Sequence, residues 1–69
     1  MNVVELAKIN FQKGIDLYSK KKYLEAIDYF KKTLEYAPQS IPALENLSKI
    51  YIKIKKYDKA EKVLLNLIS

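Results

Sequence analysis

Carboxylates and lysines are the side chains of this sequence with obvious chemistry. Asp16, Glu25, Asp28 and Glu35 would have to be paired at short range to serve as acid and base. Their spacing fits solvated helix faces better, with lysines three or four residues away as ion-pair partners. All 13 basic residues are lysine, against 8 acids, for a formal charge of +5. That sign favours acidic partners without selecting one. The chain has no Cys and no His, which excludes disulfides, thiolate zinc sites, imidazole bases and nucleophiles activated by His. No catalytic residue, metal or cofactor is expected, and an enzyme is the function class least supported.

The lysines cluster as Lys20-Lys21-Lys22 and again as Lys55-Lys56. Aligned on one edge they would make phosphate contacts to nucleic acid or acidic lipid. There is no Arg for base readout and no aromatic residue among them, so a solvated surface is the simpler reading. No small-molecule substrate is implied. The start, Met1 to Leu6, lacks the basic lead and apolar run of a signal peptide, and no apolar stretch nears the ~20 residues of a membrane span. The expectation is a soluble cytoplasmic protein without membrane insertion.

The elements that must carry these groups follow from a sparse set of breakers. At 69 residues, 49% of them hydrophobic, the chain is one domain, residues 1–69, with a small core. The evident loop is Ala37-Pro38-Gln39-Ser40, which divides the chain into similar halves. A helix is predicted from about Val3 to Lys20, with Leu6, Ile9, Lys13 and Leu17 on one face and Gly14 beside them. A second runs from Leu24 to before Pro38 on Ala26, Ile27, Phe30 and Leu34. Ser40 caps a third, with Pro42 in its first turn and Leu44, Leu47, Ile50, Tyr51 and Ile54 as its stripe. Asp58 caps a fourth, whose apolar face is Ala60, Val63, Leu64, Leu67 and Ile68.

A shift of 34 residues sets Gly14 on Ser48, Tyr23 on Tyr57, Ala26 on Ala60 and Phe30 on Leu64. With this period and these small positions the chain resembles the tetratricopeptide repeat family. The first repeat covers about 7–40 and the second about 41–69, truncated. The resemblance implies an all-α fold of four helices in tandem antiparallel hairpins, a fragment of an α-solenoid. Gly14 or Ser48 would face Ala26 or Ala60 at a close helix crossing, and Tyr23 and Tyr57 would close the turns. Asn10 and Lys13 depart from the family pattern, standing where large apolar residues are usual.

The resemblance also implies a concave groove lined by the first and third helices, which holds a protein or peptide segment. Phe11, Gln12, Ile15, Tyr18 and Ser19 would form one wall, and Glu45, Asn46, Lys49, Ile52 and Lys53 the other. Phe11, Ile15 and Tyr18 serve equally as core packing or as a contact with a second copy, and these alternatives stand open. Some members grip a terminal carboxylate through Lys and Asn on the first helix. Phe11 and Ile15 replace those two, so no such clamp is implied, although Asn46 matches the family's Asn on the third helix.

Repeats of this kind bury their faces on neighbours. Leu64, Leu65, Leu67 and Ile68 should therefore leave an apolar patch, and Val3, Val4 and Leu6 another. The chain is either part of a longer array or a small protein that self-associates through these ends, and the Met start inclines the reading to the second. Three functions follow: a scaffold or adaptor binding a segment in the groove, a self-associating structural module, and, least expected, a binder of nucleic acid or acidic surfaces.

Overall fold

The structure, a computed structural model, describes residues 1–68. Four helices follow one another: α1, Val3–Ser19; α2, Tyr23–Tyr36; α3, Ile41–Lys53; and α4, Tyr57–Ile68. They pack in chain order, α1 on α2, α2 on α3 and α3 on α4, so the chain is two helical hairpins laid side by side. The result is a slab of 35 × 30 × 13 Å, and the smallest dimension leaves room for a thin core.

Local chemistry sets most of the helix ends. Asn2 caps α1, its side-chain oxygen accepting from the Glu5 N–H at 2.9 Å. Ser40 caps α3 by accepting from the Ala43 N–H at 3.3 Å, with Pro42 in the first turn where a missing N–H costs nothing. Helix α4 starts at Tyr57, one residue before the cap expected at Asp58. Asp58 lies instead in the first turn, where its charge suits the positive end of the helix dipole.

The two hairpin turns share a closure that composition concealed. After α1 the Lys21 N–H donates to the Tyr18 carbonyl at 2.9 Å and the Lys22 N–H to the Leu17 carbonyl at 2.9 Å. After α3 the Lys55 N–H donates to Ile52 at 3.0 Å and the Lys56 N–H to Tyr51 at 2.7 Å. Each pair is the Schellman arrangement, which places one residue in the left-handed region and usually selects Gly there. Here Lys21 and Lys55 take it, at φ 61° and 64°. A side chain in that conformation costs roughly 1–2 kcal/mol, partly offset by the greater freedom glycine loses on folding. Lys55→Gly is therefore expected to stabilise the fold by about 0.5–1 kcal/mol, read as a higher urea midpoint with unchanged slope.

The core comprises Ala26, Ile27 and Phe30 of α2, Leu44, Leu47, Ile50 and Tyr51 of α3, and Ala60 and Val63 of α4. Two buried hydroxyls are satisfied within their own helices, Thr33 donating to the Tyr29 carbonyl at 2.9 Å and Ser48 to the Glu45 carbonyl at 2.8 Å. Helix α1 meets this core on a face turned from the one expected. Ala7 and Gly14 are its buried residues, Phe11, Ile15, Leu17 and Tyr18 pack on the core, and Ile9 and Lys13 are exposed. The reason lies across the crossing, where the Phe30 ring fills the space that a Cβ on Gly14 would take, with Cε1 only 2.7 Å away. Gly14 thus makes room for the Phe30 ring.

Candidate functional site

The expected groove residues separate by exposure. Phe11, Ile15 and Tyr18 are half-buried against the core, Phe11 tilted on Phe30 with ring centres 5.6 Å apart and Tyr18 edge-on to Tyr23 at 5.7 Å. Packing is therefore part of what these three side chains do. Gln12 is exposed and donates to the Asp16 carboxylate at 3.1 Å, while Asn46 is half-buried and donates to the Pro42 carbonyl of its own helix at 2.8 Å. Lys49 and Lys53 are exposed. Beside Phe11, a cleft of about 190 Å³ runs between Ala7 and Lys8 of α1 and Ser40 and Pro42 at the start of α3.

A larger depression, also mainly apolar, lies along α4. It encloses about 450 Å³ and is lined by Ile52 of α3 together with Tyr57, Ala60, Glu61, Leu64, Leu65, Leu67 and Ile68. Of these, Ala60 is buried and Leu67 half-buried, whereas Glu61, Leu64 and Leu65 are exposed. The exposures are 81% for Ile68, 59% for Tyr57, 54% for Leu65, 46% for Ile52 and 42% for Leu64. All four residues expected in a terminal patch line this trough. Two other apolar residues escaped the sequence reading, Ile52 having been placed on the groove wall and Tyr57 in the turn.

Tyr57 shows why aligned residues part company. Tyr23 is half-buried because the Tyr18 ring meets it. The position aligned with Tyr18 in the second hairpin is Ile52, which offers no ring, and Tyr57 stays on the surface. Phe30 and Leu64 divide in the same way: α3 covers the first hairpin, whereas the corresponding flank of α4 carries the trough. Two matching hairpins with one helix stacked on the preceding pair are the start of a solenoid. The profile of the tetratricopeptide repeat family matches residues 17–68, from the last turn of α1 to the end of α4.

The chain belongs to the tetratricopeptide repeat family. No curated protein and no solved structure matches it. Tetratricopeptide repeats generally mediate contacts between proteins, and four helices accommodate two of them. The stretch of α1 before Leu17 lies outside the matched residues and holds both departures from the family pattern, Asn10 and Lys13. In the structure Lys13 is exposed and stands over the Tyr29 ring of α2 at 5.6 Å, and the half-buried Asn10 donates to the Leu6 carbonyl at 2.9 Å. Among the described residues no helix is long and apolar enough to cross a membrane, and no group of acidic side chains is placed to hold a metal ion.

Proposed function

We propose that this chain is a non-catalytic interaction module that holds a helical segment of another protein in the trough along α4. The observation that carries this reading is the continuity of the exposed apolar strip from Tyr57 to Ile68, with Ile52 as its second wall. Isolated surface hydrophobes are ordinary, whereas a connected depression of this size is where a helix gains by burying its own apolar stripe. Family membership supports the general role, since a solenoid hairpin offers this flank to the helix that stacks next.

The inner face of α1 and α3 is the second reading, favoured by the apolar cleft that Phe11 borders. It would employ Phe11, Gln12, Ile15 and Tyr18 opposite Asn46, Lys49 and Lys53. Because Tyr18 also packs on Tyr23, a Tyr18→Ala change disturbs the fold as well as the face. Backbone chemical shifts separate the two readings without mutation. Titration with a leucine-striped helical peptide is expected to move the amides of Ile52, Tyr57 and residues 60–68, and Leu65→Lys to weaken binding at least tenfold with an unchanged helical circular dichroism spectrum. Shifts confined to Phe11, Gln12, Ile15 and Lys49 would transfer the function to the inner face. No shift at all would refute both.

A further inference from the structure

Resting on the trough as the contact surface, we infer that its occupant is an acidic amphipathic helix, chosen by a lysine wall on the α3 side. Lys49 and Lys53 are one helical turn apart on α3, and both fall on the same flank of Ile52, which is the trough's inner wall. Lys55 and Lys56 continue the positive charge around the Tyr57 end, where with Asp58 and Lys59 they line an adjoining hollow of about 290 Å³. No carboxylate among the described residues pairs with Lys49, Lys53, Lys55 or Lys56, so these charges are free for a partner. The charge within the trough itself is Glu61, on the opposite flank. A fitting helix thus carries an apolar stripe, carboxylates along the edge that meets α3, and room for a basic residue opposite Glu61.

Charge and symmetry argue against a second copy as the occupant. An antiparallel two-fold pair of α4 helices sets each flank against its own equivalent, lysine wall on lysine wall and Glu61 on Glu61. A parallel pair brings the two Lys55-Lys56 turns together, in a chain that already carries +5. Head-to-tail stacking would press the outer side of α1 into the trough, burying Lys13 and Asp16, both exposed. A nucleic acid would meet the lysines and leave the apolar floor unfilled.

Fluorescence anisotropy with three labelled peptides tests the inference on the whole chain. Two share one leucine stripe, with Glu flanks in one and Lys flanks in the other, and the third is a scramble of the acidic peptide. The acidic helix is expected to bind about tenfold or more tighter than the basic one at low salt, the gap closing as salt screens it. Lys49→Glu with Lys53→Glu should abolish or reverse that gap, while Leu65→Lys should weaken both striped peptides. Equal binding of the acidic and basic helices would overturn the charge selection and leave the trough as the contact surface. Binding of neither would overturn the trough as well. Binding of the scramble as tight as that of the acidic helix would reduce the effect to net charge and overturn the inference. So would light scattering that finds a dimer of the unliganded chain, dispersed by Leu65→Lys, which would assign the trough to a second copy.

Discussion

Phe30→Ala is expected to leave the chain largely unfolded at 25 °C, with most of its helical circular dichroism lost. Phe30 is fully buried, packs on the Phe11 ring and fills the notch at Gly14. Truncating a buried Phe to Ala costs about 3–5 kcal/mol, the lost transfer energy plus the cavity left behind. A chain of this length has a total stability of about 3–10 kcal/mol, and a slab with so thin a core belongs at the low end. The loss therefore consumes most or all of the stability. Retention of a cooperative urea transition near that of the parent would show that Phe30 is not the centre of the fold.

Gly14→Ala is expected to destabilise the chain by about 2 kcal/mol, even though Ala is the better helix former. The added methyl would lie at 2.7–2.9 Å from three atoms of the Phe30 ring, which is fully buried. Overpacking of that severity sits near the upper end of the usual range, about 3 kcal/mol, against about 1 kcal/mol gained from helix propensity. Phe30→Leu removes ring atoms that the added methyl would meet, so the two changes should compensate in part. Combining Gly14→Ala with Phe30→Leu should therefore give a chain more stable than the sum of the two single losses predicts. Urea midpoints of all four proteins give the coupling energy. Additive losses would mean that the notch and the ring are independent.

How far the structure was legible depended on whether neighbours along the chain or across it decided the matter. The loop at Pro38, the Ser40 cap, Pro42 in the first turn of α3 and the repeat of 34 residues are local signals, and all four helices followed from them. The buried face of α1 was not local. Its apolar residues fill two overlapping stripes, and the choice of Ala7, Phe11, Gly14 and Ile15 over Leu6, Ile9 and Lys13 is made by Phe30 on the next helix. The left-handed Lys21 and Lys55 were hidden because the glycine that normally marks such turns is missing from both. At the candidate site one wall was legible and the other was not. Leu64, Leu65, Leu67 and Ile68 announce themselves within one helix, whereas Ile52 joins them only through the angle at which α3 and α4 meet.

The packing of each helix on its chain neighbour has a kinetic side. Contacts of short sequence separation need little loop closure, so a two-hairpin chain of this kind belongs with the fast-folding helical proteins, in the microsecond to millisecond range. Cooperativity then spreads from hairpin to hairpin through nearest-neighbour interfaces. Helix α4, resting chiefly on α3 and exposing its trough, is the element that local opening releases at least cost. Its amide protons are expected to exchange with solvent ahead of those in α2 and α3, and a segment seated in the trough to slow that exchange by adding a packing layer over α4.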